Sequence, residues 1–129
     1  MFLKSLSMNF NQLKKIKTIK EKIFKLKIDN ENIFKEINLL DEDVEIKNFE
    51  MDTLSSIIKI FKKTSSIIVD NDFGKNLVSE NKEREKIENE LLCDIEKNIF
   101  YIEKLEDKIQ KNNYYIGVYN KQIKSFNKK

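Results

Sequence analysis

The residues most suited to binding another molecule are lysines and tyrosines near the two ends of the chain. Residues 1–28 contain eight lysines and one glutamate, and residues 108–129 contain six lysines and no acidic residue. Such blocks attract anionic surfaces, including nucleic acid, acidic lipid and an acidic ring or groove of a protein. An exposed aromatic pair beside lysines is a candidate protein contact. The predicted partner-binding residues are Lys14, Lys15, Lys17, Lys20, Lys111, Tyr114, Tyr115, Lys121 and Lys124.

Groups that carry out catalysis or bind metals are scarce in this sequence. It contains no histidine, which is the commonest general base and metal ligand, and Cys93 is its single cysteine. A lone cysteine cannot form an intramolecular disulfide or a paired zinc site. No glycine-rich phosphate-binding motif occurs, and the carboxylates are spaced as helical salt-bridge partners. These features predict a non-enzymatic protein without a metal or cofactor, in which Cys93 is an exposed thiol.

Nucleic acid fits the basic blocks poorly. Arg84 is the only arginine, and the sequence has neither a zinc-ligand set nor a recognition-helix unit. The chain also lacks alanine and is rich in Lys, Ile, Asn and Phe, the residues of A/T-rich codons. A lysine face that only keeps the helices soluble is therefore the alternative to a binding surface.

Two seven-residue repeats of apolar residues determine the predicted fold, because a 3.5-residue period directs one narrow stripe of a helix toward a partner helix. We designate the two alternating positions of each stripe a and d. In the first repeat, the a residues are Ile16, Ile23, Ile37, Val44, Met51 and Ile58, and the d residues are Ile19, Leu26, Ile33, Leu40, Leu54, Phe61 and Ile68. In the second, the a residues are Ile95, Ile102, Ile109, Ile116 and Ile123, and the d residues are Leu91, Leu105, Tyr119 and Phe126.

A short break between the repeats predicts where the chain reverses. The phase is reset at Asp70–Gly74, and Gly and Asn readily adopt the left-handed conformation that ends a helix. The sequence therefore predicts an all-α fold, a long two-helix antiparallel coiled-coil hairpin forming a single domain over residues 1–129. Its arms are predicted at about 6–69 and 76–126, with the turn near 70–76.

Polar residues interrupt the repeats at several places. Through the acidic stretch 41–52 the a and d positions stay in phase, and Lys47 is the only polar residue among them. This favours one helix there, a kink being the alternative. Seam positions near Asn81 and Arg84 are not apolar, so the second arm is expected to be loosely packed beside the turn. An asparagine at an a or d position can fix the register of two helices, or can reflect codon bias at a tolerated site. The polar residues at these interrupted positions are Asn30, Ser65, Asn98 and Asn112.

Charge and hydropathy predict where the hairpin acts. The end blocks carry +7 and +6, whereas residues 29–52, with nine acids and two lysines, carry −7. Folding at Gly74 brings the basic blocks together at the open end with a combined charge of +13. No signal peptide is recognisable, and the apolar stretch 57–69 contains lysines, so we predict a cytoplasmic protein, or one peripheral to the inner membrane through acidic lipid. We expect translation to start at Met1 or at Met8.

A basic two-helix hairpin of this size resembles the FliJ-type stalk proteins of flagellar and type III export. The segment Phe10-Asn11-Gln12-Leu13-Lys14-Lys15-Ile16 is similar to the openings of that family, in which a Phe is often followed three residues later by a Leu and then by an apolar residue within a basic helix. The resemblance implies a component of a protein export apparatus. It also implies that both terminal segments enter the pore of a hexameric export ATPase, and that the turn-side region meets the export gate.

Two other classes of protein share these features. One is a structural or tethering coiled-coil subunit of a cytoskeletal, kinetochore-like or scaffold assembly, whose apolar stripe pairs with another chain or with a second copy. The other is an export chaperone that bends at residues 41–52 into a compact bundle and offers a groove to a client helix.

Overall fold

The computed structural model describes residues 10–67 and 72–127, all of which are helical. Helix α1 spans Phe10–Ile67 and helix α2 spans Asp72–Asn127, with 58 and 56 residues. The two helices pack against each other as a hairpin, which confirms the predicted all-α class. The alternative starts at Met1 and Met8 lie outside the described residues, as does Ile68 of the first repeat.

The boundaries of the turn differ from the prediction. Helix α2 begins at Asp72, about four residues before the predicted start, so residues 72–76 of the expected turn are helical, while residues 70 and 71 lie outside the described part. No glycine among the described residues has a positive φ, so Gly74 does not adopt the expected left-handed conformation. Asp72 provides a carboxylate in the first turn of α2, where the helix dipole favours negative charge, and this explains the earlier start.

Helix α1 is continuous through the acidic stretch 41–52. The heptad phase predicted this continuity, since a loop of arbitrary length would have displaced Val44 and Met51 from the a positions. Both side chains are half-buried in the structure.

The chain divides into two compact units, which we call the terminal unit, with described residues 10–37 and 104–127, and the turn unit, residues 38–103. In the terminal unit, the partners of residues 22 and 30 are residues 119 and 112. In the turn unit, the partners of residues 43, 55 and 62 are residues 98, 88 and 85. Partner numbers fall as α1 numbers rise, so α1 and α2 are antiparallel within each unit.

The core of the terminal unit consists of residues that the heptad repeats assign to a and d. They leave 4–9% of their surface exposed. These core residues are Ile19, Ile23, Ile33, Ile37, Leu105 and Ile109. Burial of large aliphatic side chains contributes about 1.5–3 kcal/mol each, and it is needed because Ile, Asn and Phe favour helix only moderately.

The turn unit is packed more closely beside the turn than the polar sequence predicts. Leu77 and Asn81 are only 5% and 4% exposed, and the Asn81 side-chain amide donates a hydrogen bond to the Ile58 carbonyl oxygen at 3.1 Å. The Arg84 guanidinium lies 4.3 Å from the centroid of the Phe61 ring. The expectation of loose packing at Asn81 and Arg84 was therefore wrong, because hydrogen bonding and cation–π contact take the place of aliphatic packing.

A cluster of amides crosses the interface of the terminal unit. The Asn112 Nδ2 donates to Asn30 Oδ1 at 2.9 Å and to Asp29 Oδ2 at 2.8 Å, and Asn30 Nδ2 donates to Asn113 Oδ1 at 3.0 Å. Asn30 and Asn112 are 8% and 7% exposed. A shift of one helix by a heptad would leave these buried amides unpaired, so the cluster favours one register.

A charged cluster crosses the interface between α1 and α2 in the turn unit. Asp43 accepts from Lys47 Nζ at 2.8 Å and from Asn98 Nδ2 at 2.7 Å, and Lys47 also lies 3.8 Å from Asp94. The hydrogen bond from Lys47, and then that from Asn98, lowers the pKa of the Asp43 carboxyl. The hydrogen bond to Asp43 raises the pKa of Lys47. Lys47, the one polar residue of the acidic stretch at an a or d position, thus has its positive charge balanced by two carboxylates.

Truncating a core residue tests the assignment of the a and d positions. Ile33 is 4% exposed, and Ile33→Ala is expected to lower the free energy of unfolding by about 2–4 kcal/mol, because it leaves a cavity between the helices. Denaturant unfolding followed by circular dichroism measures the change. Ile28, which is 40% exposed, is the matched control, and Ile28→Ala should cost less than about 1 kcal/mol. Equal losses would contradict the assignment.

The Asp43 cluster predicts a pH dependence of stability. Because the pKa of Asp43 is lower in the folded chain, its contribution is complete above the unfolded pKa of about 4 and disappears as pH falls through the folded value. Asp43→Asn should therefore flatten the fall in stability between roughly pH 5 and pH 2, relative to the unsubstituted chain. Denaturation midpoints across this range provide the measurement, and parallel profiles for the two proteins would refute the assignment.

Candidate protein-binding surface

All nine predicted binding residues belong to the terminal unit, and all nine are exposed. Lys14, Lys15, Lys17 and Lys20 project from the first three turns of α1. The remaining five project from the C-terminal part of α2: Lys111, Tyr114, Tyr115, Lys121 and Lys124. Since α1 and α2 are antiparallel here, residues from opposite ends of the sequence share one unit.

One open groove is lined by residues from both ends of the sequence. It has a volume of about 630 Å³ and is lined on α1 by Lys14, Lys15 and Lys22 and on α2 by Gln122 and Phe126, among others. Phe126 is half-buried, so it offers apolar surface in a groove that three lysines also line. A groove of this kind suits a partner segment that combines carboxylates with an apolar side chain.

A second groove lies on α1 alone. Lys17 and Lys20 line it together with Leu13 and Phe24, which are 53% and 64% exposed. The four predicted lysines of α1 therefore divide into two sets: Lys14 and Lys15 share a groove with α2, whereas Lys17 and Lys20 do not.

The tyrosines form a small aromatic surface on α2. The rings of Tyr114 and Tyr115 meet edge to face with centroids 5.6 Å apart, and Tyr114 is 68% exposed. Tyr115 also lines a recess with Tyr119 and Lys22, whose Nζ lies 5.7 Å from the Tyr119 ring centroid. An exposed aromatic edge next to ammonium groups is an arrangement found at protein interfaces.

Sequence reasoning missed three residues of this surface. Lys22 and Lys25 were counted only in the charge of the block, although they lie beside Tyr115 and Tyr119. Phe126 was assigned to packing, and its half-burial fits that assignment while leaving part of the ring in the groove. Heptad position was the available signal for Lys22, because the residue just before an a position flanks the helix interface.

The remaining features are the thiol of Cys93, the metal-ligating side chains and the hydropathy of the helices. Cys93 is exposed, as predicted. Within the described helices, no group of three or more metal-ligating side chains occurs, and neither helix is long and apolar enough to cross a bilayer. Comparison of the chain with known protein families, with curated proteins and with solved structures found no match.

The distance between the two ends of the sequence tests the arrangement of this surface. Spin labels at Lys14→Cys and Lys124→Cys, in a Cys93→Ser background and diluted with unlabelled protein, should lie roughly 20–30 Å apart, because adjacent helix axes are about 8–10 Å apart. Double electron–electron resonance measures this distance. A monomer with labels beyond roughly 50 Å would show that the two helices do not pair at this end.

Proposed function

We propose that this protein is a non-enzymatic coiled-coil component of a flagellar or type III protein export apparatus, whose terminal unit binds the export ATPase as a stalk. One observation carries the proposal: the groove in which Lys14, Lys15 and Lys22 of α1 lie beside Phe126 of α2. A ring or pore lined with carboxylates would pair with these ammonium groups, and the apolar surface would add desolvated contact area.

The distribution of charge along α1 supports binding of different partners by the terminal unit and the turn unit. The described lysines before residue 28 belong to the terminal unit, whereas six acids between residues 41 and 52 belong to the turn unit. In the proposed function the basic unit binds the hexameric ATPase, and the turn unit is free to meet export-gate components. Helical continuity through residues 41–52 supports this hairpin over the chaperone bundle, which requires the first arm to bend there.

Charge reversal in the terminal unit tests the proposal. Lys14→Glu, Lys15→Glu, Lys121→Glu and Lys124→Glu together should weaken binding to a purified hexameric export ATPase by about tenfold or more, because each reversal replaces attraction with repulsion. Binding of the unsubstituted chain should also weaken as ionic strength rises. Fluorescence anisotropy with the full chain provides the affinities.

The matched control makes the same change in net charge, but it makes it in the turn unit. It combines Lys63→Glu, Lys75→Glu, Lys82→Glu and Lys86→Glu, all at exposed positions. This variant should bind the ATPase about as well as the unsubstituted chain. Equal weakening by both variants, or no measurable binding by the unsubstituted chain, would reject the stalk proposal.

A further inference from the structure

Helix α1 has large apolar residues on its outer surface as well as in its core. Five are described in the terminal unit, among them Phe10 and Ile28; the other three are 53%, 64% and 53% exposed, and we call Leu13, Phe24 and Phe34 the terminal-unit triplet. Four are described on α1 in the turn unit, among them Ile46; the other three are 67%, 73% and 63% exposed, and we call Leu39, Phe49 and Ile60 the turn-unit triplet. A helix with apolar residues on more than one side is typical of a helix that packs against more than one neighbour.

The two triplets have mirrored spacing. Members of the terminal-unit triplet are 11 and 10 residues apart, and members of the turn-unit triplet are 10 and 11 residues apart. Three turns of an α-helix take about 10.8 residues, so each triplet follows one face of its own segment. When a second α1 runs in the opposite direction, one register aligns all three pairs. The pairs are Leu13 with Ile60, Phe24 with Phe49, and Phe34 with Leu39.

The charges of the two segments are equal and opposite. Residues 13–34 contain seven lysines and three acids, a net charge of +4, and residues 39–60 contain six acids and two lysines, a net charge of −4. The register that aligns the apolar pairs also brings Lys20 near Asp52 and Lys27 near Glu45 of the second chain. All four of these charged side chains are exposed in the hairpin.

We propose that the outer surface of α1 binds a second copy of this chain in antiparallel orientation, with each triplet packed against the other triplet of its partner. The contact is reciprocal, because pairing residue 13 with residue 60 also pairs residue 60 with residue 13. A self-complementary patch of this kind gives a closed two-fold dimer. The contact does not rest on the stalk function, and it uses none of the four lysines reversed in the test of ATPase binding.

Other occupants explain less of the pattern. An anionic membrane would attract the lysines around the terminal-unit triplet, but it would repel the acids around the turn-unit triplet. An unrelated acidic helix would likewise leave the turn-unit triplet uncovered. Of these three occupants, a second copy is the one that uses both triplets, their mirrored spacing and the opposite charges together.

Paired charge reversals test this dimer. Variant A is Lys20→Glu with Lys27→Glu, and variant B is Glu45→Lys with Asp52→Lys. Each variant alone should associate at least about tenfold more weakly than the unsubstituted chain, because like charges then face each other. An equimolar mixture should regain dimerisation as an A–B heterodimer, since every reversed residue then faces its opposite. Sedimentation equilibrium at low ionic strength measures each dissociation constant.

Controls separate the dimer from general charge effects and from lipid binding. Lys82→Glu with Lys86→Glu changes the net charge as variant A does but lies on α2, and it should dimerise like the unsubstituted chain. Circular dichroism should show unchanged helicity in every variant. The proposal is overturned if the unsubstituted chain is a monomer at about 100 µM, if variants A and B fail to rescue each other, or if the monomer instead binds phosphatidylserine vesicles.

Discussion

Packing of the a and d residues between α1 and α2 is the interaction on which the rest of this structure depends. Neither helix is rich in strong helix formers, and helices that lack a packing partner are marginal in water. Burial of isoleucines such as Ile33 and Ile102 provides the missing free energy. A narrow apolar stripe fixes which face of each helix is buried, but on its own it allows registers that differ by a heptad. The hydrogen bonds that Asn30 and Asn112 make across the interface distinguish these registers, because a shifted pairing leaves buried amides without partners.

This packing also determines which residues are available to other molecules. In the terminal unit, antiparallel pairing places Phe126 beside Lys14 and Lys15, which are more than a hundred residues away in sequence. A groove that combines ammonium groups with an aromatic ring follows from the register and not from any local motif. In both units the outer surface of α1 retains apolar residues that no part of the described hairpin buries, including Phe24 and Phe49. The groove and the exposed apolar residues both lie on the outside of the two-helix core, where another molecule can reach them.

Much of the fold was predictable, because heptad spacing reports burial directly: Ile19 and Ile109 were assigned to the core from spacing alone, and both are buried. The partner of each residue was less predictable, since apolar stripes fit one another in several registers and only hydrogen bonds such as that between Asn112 and Asn30 select one. Residues beside the turn were misjudged where a polar side chain packs, as Arg84 does against Phe61. The candidate binding lysines were predicted from composition alone, but the division of the four on α1 between two grooves depends on three-dimensional neighbours.

Disulfide trapping across the amide cluster tests most directly whether the two repeats of one chain pair in this register. In a Cys93→Ser background, Asn30→Cys with Asn112→Cys should form an intramolecular disulfide under mild oxidation, because these side chains face each other across the interface. The pair Asn30→Cys with Tyr119→Cys, one heptad away, should remain reduced under the same conditions. Equal trapping of both pairs, or disulfides formed only between chains, would contradict a hairpin closed in a single register.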